Sequence, residues 1–116
     1  TGAGGLDIGL TKAGFETRVC VESNRDCHAT LEANRSHFSD PSFRLLGDIT
    51  DLSPGQVLED LDMSPGDLTL ISGGPPCQSY STAGKRQAIV DPRGNLIFKF
   101  ADWIRAIQPQ FPSTTM

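Results

Sequence analysis

The polar and apolar positions of the chain predict strands that alternate with helices. Short runs at 17–21, 43–46 and 67–72 have the composition of strands, and the third is too brief for a helix and is bounded by turn residues. Residues 26–34 fit a short helix, and residues 95–107 repeat apolar side chains at the spacing of an amphipathic helix. The pattern therefore predicts an α/β fold in which the long helix packs on a sheet.

Prolines mark two further elements. Ser53-Pro54 predicts the start of a connecting helix, because proline suits the first helical turn. Pro109-Gln110-Phe111 predicts the start of a last strand, and the following residues 112–115 are not expected to continue it because Pro112 cannot donate a ladder hydrogen bond.

A glycine-rich loop opens the chain at residues 1–6 and is followed by a predicted helix whose apolar face is Leu6, Leu10 and Ala13, with Gly14 placed to end it. Such a loop exposes backbone amides at a helix N-terminus, which suits phosphate, carboxylate or ribose groups. The dinucleotide fingerprint would require glycine at position 7, which is Asp7, so an NAD site is excluded by spacing. Glycines that only shape a turn remain the alternative.

Two acids follow predicted strands. Glu22 ends the run 17–21, where an acid can accept hydrogen bonds from the hydroxyls of a ribose. Asp48 follows the run 43–46 and could accept a hydrogen bond from an amino group such as that of adenine, while Ile49 could pack on the ring. The alternatives are a surface glutamate at position 22 and a helix cap or loop acid at position 48.

The third strand leads into Gly73-Gly74-Pro75-Pro76, and the next residue is Cys77. Two prolines fix the backbone and two glycines admit a close neighbour, so the thiol is expected on a stiff, exposed support at the carboxyl end of a strand. Ligands of open α/β sheets bind at that edge. A buried apolar thiol is the alternative, but the neighbouring polar side chains Gln78, Ser79 and Ser81 favour a reactive one.

The composition argues against a membrane protein, a disulfide-rich protein and a metal site. The 116 residues suit about one domain, and no apolar run approaches the ~18 residues of a membrane span, so no membrane partner is expected. Three well-separated cysteines, Cys20, Cys27 and Cys77, favour neither a disulfide framework nor a metal site, and they suit a reducing compartment.

Charge is uneven along the chain. Residues 1–84 carry 12 acids and 5 bases, a net of −7, whereas residues 85–116 carry 2 acids and 5 bases, a net of +3. Lys85, Arg86 and Arg93 could thus face a polyanion, with a solvated loop as the alternative. The aperiodic polar stretch 82–92 is a candidate lid.

These motifs together resemble the bacterial type of C5 cytosine-specific DNA methyltransferases, up to about Phe111. The resemblance implies a Rossmann-like three-layer α/β fold for residues 1–111, S-adenosylmethionine as cofactor, and a cytosine flipped out of DNA as substrate. It also implies a cytoplasmic protein of restriction-modification type, with residues 112–116 as a non-matching tail. Cofactor contacts are expected at Gly2, Ala3, Gly4, Gly5, Leu6, Glu22, Ser23, Asp48, Ile49, Pro76 and Leu96.

By the same resemblance Cys77 is the catalytic nucleophile, and DNA contacts are expected at Gln78, Ser81, Lys85 and Arg93. The family's Glu-Asn-Val motif, which should follow Phe111, and its target-recognition domain have no counterpart in the sequence. Two hypotheses follow. The chain is the amino-terminal part of a DNA (cytosine-5-)-methyltransferase, inactive alone, or it is a non-catalytic S-adenosylmethionine-binding module or split-enzyme subunit that needs a complementing chain.

Overall fold

The structure is a computed structural model. It describes residues 2, 4–75 and 92–114, and the side chains of these residues except those of 92–95 and 113–114. The chain divides into two compact units, Thr1–Leu52 and Ser53–Met116. Each unit contains helices and a pair of parallel strands, which confirms the mixed α/β class.

The first unit contains two strands that pair in parallel, with Val19 opposite Arg44 and Val21 opposite Leu46. Parallel neighbours need a crossover connection, and a helix supplies it between them. In chain order the unit consists of helix α1 (Gly5–Lys12), strand β1 (Val19–Val21), helix α2 (Arg25–Ala33), a 3-10 turn (Arg35–His37), strand β2 (Arg44–Leu46) and a second 3-10 turn (Ile49–Asp51).

The core of this unit forms around Cys20 of β1 and Leu31 of α2, which are both fully buried. Phe38 and Phe43 complete it, with ring centroids 4.4 Å apart and tilted planes. Ile8 of α1 packs against this cluster. The core therefore holds α1 and α2 on the same strand pair.

The Arg35 side chain stabilises the connection between α2 and β2. Its guanidinium lies 4.5 Å from the centre of the Phe43 ring, and it donates hydrogen bonds to the carbonyls of Pro41 at 2.9 Å and Phe43 at 2.6 Å. A further bond joins its Nε to Glu32 at 3.0 Å. Since a guanidinium offers several donors in one plane, a single side chain can fix this connection.

The second unit contains helix α3 (Pro54–Asp60), strand β3 (Leu70–Gly73), helix α4 (Pro92–Ile107) and strand β4 (Phe111–Thr114). The Ser53 hydroxyl accepts a hydrogen bond from the Gln56 amide, so the predicted helix start after Ser53 is confirmed. Among the described residues of this unit, Val57 and Leu58 of α3 and Trp103 and Ile107 of α4 are buried.

The predicted end of the last strand is wrong. β4 continues through Pro112 to Thr114 and pairs in parallel with β3, with Ile71 opposite Pro112. The amides of Gln110 and Phe111 donate to the carbonyls of Leu68 and Thr69 at 3.1 and 2.9 Å, so the pairing begins before the residue that lacks a donor.

The residue of the first helix that faces the core also differs from the prediction. Leu6 is 46 % exposed, and Ile8 instead makes the contact with the core. The candidate lid at 82–92 lies outside the described residues up to position 91, and Pro92 already belongs to α4. None of the helices in the described part of the chain is long and apolar enough to span a membrane.

Candidate functional site

The glycine loop is fixed where it enters α1. Gly4 has φ +96° and caps the helix, and its carbonyl accepts the Ile8 amide at 2.8 Å. A Cβ atom built on Gly4 would lie 2.9 Å from Leu31 Cδ2, deep in the core. Glycine is therefore required here both by the backbone conformation and by the space available.

The other side of this loop is open. A Cβ atom on Gly2 or on Gly5 would meet nothing within 4 Å, and the neighbouring Leu6 is half-exposed. Among the described residues, none blocks access to the backbone at these two glycines, and the ligand role of the loop stays a prediction. Ala3, the remaining predicted loop residue, lies outside the described residues.

Glu22 holds its carboxylate beside this loop. The Glu22 amide extends the strand pairing by donating to the Leu46 carbonyl at 3.0 Å, which fixes its backbone. Its Oε2 accepts the Gly2 amide at 2.5 Å, and its Oε1 accepts the Asn24 amide at 2.8 Å. Partial burial opposes ionisation, but the hydrogen bonds from these amides, together with the positive charge of the N-terminal amine and its hydrogen bond, outweigh it and leave the pKa of Glu22 below its ordinary value.

Asn24 was not among the predicted site residues. Its side-chain oxygen accepts the amides of Asp26 at 3.0 Å and Cys27 at 3.1 Å, so it caps α2. Its own amide donates to Glu22, which ties the helix start to the carboxylate. An asparagine directly before a helix is a recognised start signal, and this signal could have found it. Ser23, between the two, is exposed.

Asp48 lies at the same edge of the strand pair as Glu22, because Val21 is opposite Leu46. Its Oδ1 accepts the Thr50 amide at 2.8 Å and the Thr50 hydroxyl at 2.7 Å, and these bonds lower the pKa of Asp48. Asp48 thus caps the 3-10 turn that begins at Ile49. Both bonds end on Oδ1, so Oδ2 can accept a further donor.

A third acid, Asp7, lies in the helix that follows the loop. Asp7, in the first turn of α1, has Oδ1 at 3.8 Å from the sulfur of Cys20, in the range of a weak thiol hydrogen bond. Burial raises the pKa of Asp7 above its ordinary value, although its hydrogen bonds act in the opposite direction. The sequence pattern carries no signal for this contact, because a lone acid after a glycine loop does not show which strand residue it will meet.

In the second unit, β3 ends against α4. A Cβ atom built on Gly73, the last residue of β3, would lie 2.7 Å from Cε2 and 2.9 Å from Cζ of Phe100. The backbone that leads to Gly74 and Pro75 therefore passes directly under an aromatic ring. Leu96, on the same helix, is half-buried.

The side chains of the remaining predicted site residues lie outside the part of the chain that the structure describes. Arg93 lies in the first turn of α4, and its side chain is outside the described set. Also outside the described residues are Pro76, Cys77, Gln78, Ser81 and Lys85.

Comparison with known proteins decides the family. The sequence model of the family described as "C-5 cytosine-specific DNA methylase" matches residues 1–112. The chain belongs to this family. The resemblance inferred from the glycine loop, the strand-end acids and the Gly-Gly-Pro-Pro-Cys segment is thereby confirmed.

Family members with curated names include three bacterial type II methyltransferases. The chain is 42 % identical over 111 residues to M.AquIA of Picosynechococcus sp., and the match covers 95 % of this chain and 43 % of that protein. It is 39 % identical over 111 residues to M.FnuDI of Fusobacterium nucleatum, covering 96 % of the chain and 28 % of the relative. It is 38 % identical over 112 residues to M.NgoPII of Neisseria gonorrhoeae, and the match covers 96 % of the chain and 29 % of that protein. The chain thus spans less than half the length of these family members.

Proposed function

We propose that this chain forms the cofactor-binding and nucleophile-bearing part of a DNA (cytosine-5-)-methyltransferase. The observation that carries the proposal is the family match over residues 1–112, which includes both the glycine loop and the segment around Cys77. The proposal includes a Rossmann-like three-layer fold for residues 1–111, with residues 112–116 as a tail that does not match the family's motif, although β4 continues through it to Thr114. Parallel strands joined through helices support it.

The residues present fit S-adenosylmethionine. The open backbone at Gly2 and Gly5 leaves room for a ligand, and the Glu22 carboxylate beside them is an acceptor for ribose hydroxyls. Asp48 Oδ2 is an acceptor for the adenine amino group at the same strand edge. When bound, this cofactor supplies an electrophilic methyl group. The proposed contacts are the loop residues Gly2 to Leu6 with Glu22, Ser23, Asp48, Ile49, Pro76 and Leu96.

The proposed nucleophile is Cys77. Its thiolate adds to C6 of a flipped cytosine, which places electron density on C5 and makes that carbon able to accept the methyl group. Loss of the C5 proton and release of the Cys77 sulfur then restore the aromatic ring. Gln78, Ser81, Lys85 and Arg93 are proposed to contact the DNA, as their polar and basic side chains near the nucleophile suggest.

The proposal assigns two further parts of the reaction to polypeptide outside this sequence. A Glu-Asn-Val motif would hold N3 of the cytosine and a target-recognition domain would select the DNA site, in the same or a complementing chain. Such a protein would act on bacterial DNA in the cytoplasm, where cysteines stay reduced.

The test uses covalent capture on DNA that contains 5-fluorocytosine, in which fluorine replaces the C5 proton, so that the elimination that would release the Cys77 sulfur cannot occur. S-adenosylmethionine is titrated first by calorimetry. Capture is then measured for the chain alone and with a polypeptide that supplies the Glu-Asn-Val motif and recognition domain. We expect capture to be absent or very slow alone, because loss of one charge-stabilising group typically costs a factor of about 10² to 10³, and to appear on complementation.

Cys77→Ser and Cys27→Ser provide the matched pair for this test. Cys77→Ser should abolish capture and retain cofactor binding, whereas Cys27→Ser should retain both. Capture that survives Cys77→Ser, or that never appears after complementation, would remove the nucleophile assignment. Rapid capture by the chain alone would show that the other parts are dispensable.

A further inference from the structure

The glycine loop is fastened at two points. Gly4 is held by packing, since its Cα faces Leu31 and Phe38 in the core. Gly2 is held by one hydrogen bond to Glu22, a residue 20 positions further along the chain. Among the described residues, the Glu22 side chain therefore supplies a hydrogen bond that links the outer half of the loop to the end of β1.

That side chain is itself held in place. The Glu22 backbone continues the β1–β2 pairing through Leu46, and the Asn24 amide donates to Oε1. This arrangement leaves Oε2 directed at Gly2 at 2.5 Å. The lowered pKa of Glu22 agrees with a carboxylate that is charged while it accepts both amides.

We infer that Glu22 is a positioning residue that fixes the glycine loop before any ligand binds, in addition to its proposed contact with ribose hydroxyls. We call the hydrogen bond from the Gly2 amide to Glu22 the latch. This inference rests on the proposed cofactor site and extends it. A carboxylate has about four acceptor positions on two oxygens, so one group can hold the two amides and still receive hydroxyl donors. Ligand affinity then contains a part that does not depend on the hydroxyls.

Glutamine separates the two roles at nearly constant size. Its side chain has one acceptor oxygen and an amino group that donates, so it cannot accept from Gly2 and Asn24 on both sides. Glu22→Gln should therefore release one amide. Glu22→Asp keeps the charge and shortens the reach, so it should release the loop as well. Glu16→Gln is the control, because exposed Glu16 makes only a surface ion pair with Arg18 at 3.7 Å.

The first arm needs no ligand. Amide resonances and hydrogen exchange are followed by NMR in the full chain. Loss of a hydrogen bond to a charged group should speed exchange at Gly2 or at Asn24 by at least about tenfold in Glu22→Gln, and at Gly2 in Glu22→Asp. Glu16→Gln should match the parent. Unchanged exchange at Cys20 in β1 verifies that each variant is folded.

The second arm compares S-adenosylhomocysteine with its 2′,3′-dideoxy analogue, which lacks both ribose hydroxyls. If Glu22 acts only through those hydroxyls, the parent and Glu22→Gln will bind the dideoxy analogue equally. The latch predicts a loss of about tenfold or more for the dideoxy analogue in Glu22→Gln, and none in Glu16→Gln.

Parent-like exchange at Gly2 and Asn24 in Glu22→Gln, together with parent-like exchange at Gly2 in Glu22→Asp, would overturn the latch. Equal binding of the dideoxy analogue by parent and Glu22→Gln would overturn it too. Failure of the parent to bind S-adenosylhomocysteine would instead reject the proposed cofactor site, and the ligand-free arm would still judge the latch by itself.

Discussion

At the scale of single residues, adjacent glycines of the loop have different reasons to be glycine. Gly4 combines a positive φ with a core neighbour that a Cβ atom would approach to 2.9 Å, whereas Gly5 begins α1 with open space around it. The sequence predicts a ligand loop for the whole run, but it could not separate these two positions. The difference lies in Leu31, which meets Gly4 only after α2 has packed.

Gly4→Ala should therefore destabilise the protein, by about 1–3 kcal/mol, because it adds strain in φ and overpacks the core. Gly5→Ala should be neutral or slightly stabilising, since alanine is the better helix former. Urea unfolding of both variants measures the difference. Equal midpoints would show that the loop can shift away from Leu31 at little cost.

Asp7 gives a pH-dependent prediction. Its raised pKa means that the folded state holds the proton more strongly than the unfolded chain does. The stability contributed by protonated Asp7 is thus fully present below the ordinary carboxyl pKa of about 3.9, and it is lost as pH rises through the folded pKa. At neutral pH the buried carboxylate opposes folding.

Asp7→Asn should then raise the melting temperature at neutral pH, and its advantage over the parent should shrink as pH falls through the folded pKa of Asp7 and be gone below about 4. Asp26→Asn is the control, because Asp26 lies in the first turn of α2 and is exposed. It should bring no gain at neutral pH. A melting temperature for Asp7→Asn at or below that of the parent at neutral pH would contradict the assignment of burial as the dominant cause.

At the scale of elements, the order of helices and strands was predictable because each leaves a local signal. Ser53-Pro54 begins α3, and the apolar spacing of 95–107 identifies most of α4. β4 was not predictable through Pro112, because the pairing with β3 that sustains it is a tertiary contact. The burial of Ile8 in place of Leu6 likewise depends on where the core lies.

The contact between β3 and α4 is testable by substitution. Gly73→Ala should cost about 1–3 kcal/mol, because the new methyl group would overlap the Phe100 ring. Phe100→Leu should relieve this overlap, so the double variant should be more stable than the sum of the single effects predicts.

Phe98→Leu serves as the matched control on the same helix, since Phe98 is 57 % exposed. Its combination with Gly73→Ala should be additive within about 0.5 kcal/mol. Urea unfolding of the five variants completes both cycles. Additivity in the Phe100 cycle as well would mean that the ring does not limit the residue at position 73.

At the scale of the whole molecule, the charge of the chain is divided along its length. The net −7 of residues 1–84 argues against a general affinity for DNA, while the net +3 of residues 85–116 places basic side chains after Cys77. The sequence could indicate this division, but it could not indicate that the fold forms two units, Thr1–Leu52 and Ser53–Met116. That boundary depends on which residues pack together.

We predict that DNA affinity falls with salt and that Lys85 and Arg93 account for part of the dependence. Replacing both with alanine should lower the slope of log K against log salt by about two units, since each neutralised phosphate contributes about one. Lys12→Ala with Arg18→Ala removes the same charge from exposed positions in the acidic part and should leave the slope unchanged. Fluorescence anisotropy across a salt series measures both, and equal slopes would assign Lys85 and Arg93 to solvated surface.

Phe111 begins β4 with 63 % of its surface exposed, on a strand whose described partner lies only on the β3 side. Exposed aromatic side chains on an unprotected strand edge favour association between copies and aggregation during expression. The chain produced alone should therefore lose solubility at the high concentrations that NMR requires. Phe111→Lys would add a charge to this strand edge, at a position distant in sequence from the glycine loop. It offers a practical background in which to purify and compare the variants.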